Sequence, residues 1–269
     1  MSGGGGTATT VREGQTFAGG TLVSRYASFV KLPHTLFALP FAGVGAILAT
    51  YGGAARLTWA AAFWILVAFT AARFAAMGFN RIVDREQDAL NPRTRGRELP
   101  QGRISVRQAT LAVVVAAVVF LFAASRLNEL VTWLAPVALA WVLFYSYTKR
   151  FTTWAHTVLG VSLAIAPVGA YLAVAGVWSE PWWGLLVLAA AVMFWVAGFD
   201  IIYALQDADF DRAQGLHSIP ARYGVRRSLG IARLFHFLAT AGFFGVWAVG
   251  GFGVGWCFLA GVVVMAVLL

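Results

Sequence analysis

"LTWAAAFWILVAFTAARFAAMGFNRIVDREQD", residues 57–88, carries a single charge, Arg73, through its first 24 positions and then ends on Arg81, Asp84, Arg85, Glu86 and Asp88. A helix that crosses a hydrocarbon layer of about 30 Å needs roughly 20 apolar residues, and this run supplies them. Comparable windows recur almost end to end. Spans are expected near 33–51, 57–83, 106–124, 129–147, 155–177, 182–206, 227–249 and 252–269. With 60 % hydrophobic residues, 12 % charged and a mean hydropathy of +0.76, the composition excludes a soluble globular domain. The expected fold is all-α, a multi-pass transmembrane helical bundle of about eight visible spans.

The distribution of charge sets the orientation, because Lys and Arg favour the cytoplasmic side of a membrane. Seventeen of the 20 basic residues fall in the N-terminal tail and in the segments after the second, fourth and sixth spans. Only Arg56 and Arg126 lie opposite, with Arg73 inside a span. Topology therefore explains most of the net charge of +9, and no nucleic-acid partner is implied. The opening "MSGGGGTATT" lacks the basic and apolar regions of a signal peptide. Residues 1–24 are read as a disordered cytoplasmic tail and 25–269 as one membrane domain. The 29 glycines suit close packing of membrane helices, and Cys257, the one cysteine, reads as a packing residue.

Acids are the more informative charges, since no topology rule demands them. Eight of the 11 form two clusters, Asp84, Glu86, Asp88, Glu98 and Asp200, Asp207, Asp209, Asp211, at the ends of the second and sixth spans. Residues four apart lie about 40° from each other around a helix axis. Asn80, Asp84 and Asp88 should thus form one stripe, with Arg73 deeper on the same face. Asp200, Tyr203, Asp207 and Asp211 form a second stripe, and Tyr145 with Lys149 a third. Ionisable groups at membrane depth are costly, so Arg73 and Asp200 should face a protein interior or a wet cavity. Facing carboxylate stripes need a cation between them. Hard oxygen donors suit Mg²⁺, which is held by a few carboxylates plus substrate phosphates, and the surrounding Arg and Lys suit phosphate oxygens. No spacing resembles a calcium-binding EF-hand loop.

"NRIVDREQD" (80–88), "NPRTRGRELPQGRIS" (91–105), "YSYTKRFT" (145–152) and "DIIYALQDADFDRAQGLHSIPARYG" (200–224) together resemble the signature regions of the intramembrane UbiA prenyltransferase superfamily, with "HTLFALPFA" (34–42) similar to its first span. The resemblance covers roughly residues 25–235. It implies that Asn80, Asp84, Asp88, Asp207 and Asp211 hold magnesium and diphosphate. It also implies that Arg73, Tyr145 and Lys149 line the pocket near the diphosphate, and that Arg93 and Arg97 lie in a loop capping the cavity. Asp200 and Tyr203 match substrate-lining positions. Asp84, Asp207, Lys149 and Arg73 would carry the catalysis. Nine spans around a central cavity opening to the cytoplasmic side are usual in the family. A C-terminal helix is therefore expected to lie beyond the sequence, or a short span to be hidden in it.

The implied reaction is Mg²⁺-dependent transfer of a polyprenyl group from its diphosphate to an aromatic ring in quinone biosynthesis, at a multi-pass site facing the cytoplasm in the inner membrane, with membrane lipid as surroundings. The wording of the motifs is most similar to the branch of the family tied to the futalosine route to menaquinone, which implies a dihydroxynaphthoate acceptor. The alternative acceptor is 4-hydroxybenzoate, as in ubiquinone synthesis. A transporter is the competing class, but it predicts ionisable groups spread through the membrane thickness. A structural scaffold would need no paired carboxylate stripes. His34, His156 and His217 sit near predicted helix ends and read as hydrogen-bonded interfacial groups, His236 having the weakest case for a role. Trp59, Trp133, Trp178, Trp182 and Trp183 read as an aromatic belt.

Overall fold

The computed structural model describes residues 22–51, 55–248 and a few positions between 255 and 263, with the side chains of 22–24 and 32–37 outside that description. Ten α-helices follow in order, with no strand among the described residues. They are α1 (Leu22–Phe29), α2 (Leu32–Leu48), α3 (Trp59–Val83), α4 (Arg85–Leu90), α5 (Val106–Ser125), α6 (Glu129–Phe144), α7 (Ala155–Ala175), α8 (Gly184–Ala204), α9 (Ala208–Ala213) and α10 (Ile219–Ala248). Two 3₁₀ segments, Tyr145–Arg150 and Leu205–Asp207, extend α6 and join α8 to α9.

Helix starts follow local chemistry. Thr58 accepts a hydrogen bond from the Ala61 N–H at 3.1 Å and caps α3. Ser105 and Gln108 form a reciprocal capping box that starts α5 directly after the charged loop. Asn128 caps α6 and also donates to the carbonyl oxygens of Leu172 and Ala173 on α7, so one side chain starts a helix and docks it. Gly224, at φ 74°, breaks α10 after its first turn, a backbone conformation that a side chain with Cβ rarely adopts.

Packing is closest where α8 meets α10 and α7, where α3 meets α5, and where α2 meets α7. Leu185, Leu188, Val192, Ala239 and Val246 form the largest buried cluster with Leu172 and Phe243. At Gly45 the α2 backbone lies so close to α7 that a Cβ there would sit 1.9 Å from the Pro167 carbonyl oxygen. Small residues thus set the approach of the wall helices.

Among the described residues, six helices are long and apolar enough to cross a membrane. Even the most buried of their apolar windows hides only 39 % of its residues within the protein, so the outer faces need a lipid solvent. The protein is an integral membrane protein. The expected first span corresponds to α2, whose apolar stretch over described residues is Ala38–Leu48. The eighth expected span and Cys257 lie largely or wholly outside the described residues, as do the first 21 residues of the expected tail. Trp59, Trp133, Trp178, Trp182 and Trp183 are all exposed, as an outward-facing belt requires.

The three polar stripes depart from continuous α-helix. At Asp84, with φ −93° and ψ 9°, α3 gives way to α4, although the Asp84 and Asp88 amides still reach the carbonyls four residues back. The second stripe bends at the 3₁₀ turn Leu205–Asp207. Tyr145–Arg150 continues the span of α6 as 3₁₀ rather than α-helix, and Thr148 Oγ1 donates to the Tyr145 carbonyl within it. A polar side chain that bonds nearby backbone, as Thr148 does, competes with the regular helix, which accounts for the break at Tyr145–Arg150.

Candidate functional site

Two adjacent cavities lie within the bundle, a small one at the end where α3, α6 and α8 terminate and a larger one that reaches from there to Ile65, Leu127 and Ala173. The larger, about 570 Å³, runs between α2, α3, α5, α6, α7 and α8 and is walled mainly by Ala, Leu, Val, Ile and Phe. The smaller, about 160 Å³, is polar and is roofed by the 91–105 loop, α4 and α9. Asn80, Arg97, Tyr145, Asp200 and Tyr203 line both and mark the boundary between them.

All twelve residues singled out from the sequence line one cavity or both. Asp84, Asp88, Arg93, Lys149, Asp207 and Asp211 belong to the polar one and Arg73 to the apolar one. Lys149 and Tyr145 reach the same pocket from a 3₁₀ turn, not from the α-helical stripe their spacing suggested.

The charges are matched across the site. Arg93 grips Asp207 with two bonds, Nε to Oδ1 at 2.9 Å and Nη2 to Oδ2 at 2.5 Å, while its Nη1 donates to the Tyr203 hydroxyl at 3.0 Å. Asn91 Nδ2 adds a third bond to Asp207 Oδ1 at 3.0 Å. Arg97 Nη1 donates to Asp88 Oδ1 at 2.6 Å, and Asn80 Nδ2 to Asp84 Oδ2 at 2.8 Å. Arg150 stands 3.5 Å from Asp84 Oδ1 and donates to the Val83 carbonyl. The cation that two carboxylate stripes require is thus supplied by arginines of the intervening loop. Burial pushes the Asp84 carboxyl up to about 6, and the Asp88 charge adds to the rise, against the opposing pull of Lys149, Arg150 and the Asn80 hydrogen bond. The loop itself is fastened to α1, since Ser28 Oγ donates to the buried Glu98 Oε1 at 2.6 Å.

The chain matches the description "UbiA prenyltransferase family" over residues 38–269. It belongs to that family. It is 35 % identical over 167 residues to the 4-hydroxybenzoate octaprenyltransferase of Shewanella oneidensis, a match covering 60 % of this chain and 57 % of that protein. The protein of the same description from Shewanella woodyi is 33 % identical over 165 residues, covering 61 % and 56 %. The matched stretch thus spans a little over half the length of these curated relatives. Among solved structures, a UbiA homolog from Aeropyrum pernix K1 superposes with a TM-score of 0.79 at 35 % identity, covering 86 % of this chain and 84 % of that one. A UbiA homolog from Archaeoglobus fulgidus, solved with DMAPP and Mg²⁺, gives 0.71 at 21 % identity over 90 % and 83 %, a likeness of fold.

Within this UbiA-family site, no three carboxylate, imidazole or thiol groups of the described residues converge as an ion cage. Asp88 and Asp207 are turned onto Arg97 and Arg93 instead. The donor set still fits a hard divalent ion. Oδ2 of Asp88 and Oδ2 of Asp211 are buried at the polar cavity without a hydrogen-bond partner among the described residues, so each keeps an oxygen available for ligation.

Four contributors were not singled out from sequence. Asn91 and Arg150 sit in the quoted motifs, but only the fold shows their reach to Asp207 and Asp84. Trp195 and Phe199 line the apolar cavity below Tyr203 at four-residue spacing on α8, a pattern present in the sequence but hidden among 39 aromatic residues. His156 is fully buried, not interfacial, because its ring is held between α8 and α10. The His34 side chain lies outside the described residues. His217 meets the site through its backbone, its N–H donating to the Lys149 carbonyl at 2.7 Å, and His236 packs on Phe199 with ring centroids 4.8 Å apart.

Proposed function

We propose that the protein transfers a polyprenyl group from an allylic polyprenyl diphosphate to an aromatic acceptor in quinone biosynthesis, in a magnesium-dependent reaction. The observation that carries this reading is the adjacency of the two cavities across Asn80, Arg97, Tyr145, Asp200 and Tyr203. A small pocket of cations and carboxylates borders a much larger apolar cavity, as a substrate with a charged head and a long hydrocarbon tail requires.

Asn80, Asp84, Asp88, Asp207 and Asp211 would hold magnesium, which when bound offsets the negative charge that gathers on the leaving diphosphate. Lys149, Arg93 and Arg97 bind the phosphate oxygens, the two arginines exchanging a carboxylate partner for a phosphate one. Tyr145 and Asn80 orient the head group at this boundary. The allylic C–O bond then breaks with its electron pair leaving on the diphosphate, and a ring carbon of the acceptor bonds to the freed allylic carbon. The proton on that ring carbon is lost to Asp200, the one carboxylate among the described residues that lines both cavities. Trp195 and Phe199 help to keep water from the cationic carbon.

The motif wording favours dihydroxynaphthoate as acceptor and a place in menaquinone synthesis, whereas the Shewanella relatives favour 4-hydroxybenzoate. Seventeen basic residues on one side of the alternating spans support a site facing the cytoplasm in the inner membrane. A transporter fits less well, because the charges gather at one level. The deciding experiment offers the purified protein a polyprenyl diphosphate and both rings, with and without Mg²⁺, and detects products by mass. A magnesium-dependent prenylated ring is expected. Diphosphate that neither binds nor reacts would overturn the reading in favour of transport.

A further inference from the structure

His156 has no part in the chemistry above, yet it is the most completely enclosed ionisable group of this end of the bundle. It occupies the second position of α7 and has no exposed surface. Its Nδ1 lies 2.7 Å from Asp200 Oδ2 on α8, and the Ile219 backbone N–H at the start of α10 donates to its Nε2 at 3.3 Å. These partners assign the tautomer. A backbone amide can only donate, so Nε2 carries the lone pair and the ring proton sits on Nδ1. A ring N–H at Nδ1 needs an acceptor, and Asp200 supplies one as a carboxylate. Its side chain keeps 23 % of its surface and borders both cavities.

We propose that His156 is a positioning residue. Through Nδ1–H it holds the Asp200 carboxylate in one orientation where the two cavities meet and the acceptor's proton is released. The Ile219 N–H fixes the tautomer that makes this possible, so α10 takes part in the site without touching substrate. An imidazole flipped to the other tautomer would set two lone pairs against each other and release Asp200. The role of Asp200 rests on the prenyl-transfer reading, whereas the state of the His156–Asp200 pair does not.

The test compares wild type, His156→Leu, His156→Gln, Asp200→Asn and the double variant His156→Leu/Asp200→Asn in proteoliposomes. Glutamine can donate to Asp200 and accept from the Ile219 N–H, and leucine can do neither. In His156→Leu, kcat should fall about 100-fold while KM for the polyprenyl diphosphate stays within about threefold, since the loss is of orientation and proton transfer rather than of head-group binding. His156→Gln should recover to within about tenfold of wild type, and His156→Leu should add almost nothing to Asp200→Asn. Equal losses in the Gln and Leu variants, a loss confined to KM, or multiplying losses in the double variant would each overturn the proposal. A ¹⁵N spectrum of histidine-labelled protein gives a second readout, independent of turnover and of whether His156→Leu folds. Wild type should show a neutral Nδ1–H histidine signal that disappears in His156→Gln and shifts in Asp200→Asn. If no ring is prenylated but that signal is present, the transfer reading fails and the pairing stands. An Nε2–H tautomer for the signal that His156→Gln removes would sink the pairing itself.

Discussion

The two cavities are neighbours with opposite construction. In the polar pocket nearly every charged group is fastened to another, Asp207 to Arg93 and Asn91, Asp88 to Arg97, Asp84 to Asn80 and Arg150. In the apolar cavity the walls are held mainly by shape, with small residues such as Gly45 letting helices close on each other. A fastened polar site resists movement but can exchange partners when a phosphate arrives. A shaped apolar site responds to volume and little else. Substitutions in the two places should therefore fail in different ways.

The largest effect is expected at Asp207. Asp207→Ala removes a carboxylate held by three hydrogen bonds, frees Arg93 and deletes one proposed magnesium ligand. Turnover should drop about 1,000-fold or more, with the melting temperature in detergent lowered by only a few degrees because the pair is partly wet. Normal turnover in this variant would break the assignment of the polar pocket. Next is Gly45→Ala, where the added Cβ meets backbone rather than a movable side chain. A stability loss of about 3 kcal/mol is expected, seen as early thermal unfolding, whatever substrate is present. A variant that melts like wild type would show that the α2–α7 wall yields.

The same contrast explains what the sequence could disclose. The polar pocket is built largely from residues three or four apart on short stretches, so Asn80, Asp84, Asp88 and Asp200, Tyr203, Asp207, Asp211 stand out as periodic patterns in an apolar background. Even the repulsion between the stripes was readable. Its relief by Arg93 and Arg97 was not, because a loop's direction depends on tertiary contacts such as Ser28 with Glu98. The family resemblance implied a central cavity, but its apolar lining was illegible for a simpler reason. Ala, Val and Leu face lipid, core and cavity alike in a membrane protein, so composition does not mark which of them surround empty space. His156 was read as a hydrogen-bonded helix-end group, but not its partners, because these are Asp200 and Ile219, 44 and 63 residues away.

Asp84 gives a pH-dependent test of the fastened region. Its carboxyl titrates at about 6 in the folded protein against an ordinary value near 3.8. The charged form is therefore disfavoured by folding, and the sign follows. Stability contributed by the neutral group is complete below about pH 4, is lost as pH rises toward 6, and stays lost above it. In metal-free protein, Asp84→Asn should match wild type at pH 3.5 and exceed it by about 2 kcal/mol at pH 7.5, measured as the difference between the two unfolding curves. Equal curves at both pH values would mean that Arg150 and Lys149 fully offset the burial.

The smallest expected effect is the most selective one. Gly169 on α7 lines the apolar cavity, and a Cβ built there meets nothing within 4 Å. Gly169→Leu would place a side chain in the cavity while giving α7 a better helix former, so the fold should hold or gain slightly. The polar pocket is untouched, and turnover with a short allylic diphosphate should remain within about twofold of wild type. A long polyprenyl chain needs the lost volume, and its kcat/KM should fall about tenfold, the scale of a modest steric mismatch in an apolar pocket. Equal losses for short and long chains would mean that the tail lies elsewhere, for example along the lipid-facing side of α8. A loss for the long chain alone would place its hydrocarbon between α7 and α3, and a graded series of chain lengths would then measure how far from the polar pocket that wall begins to matter.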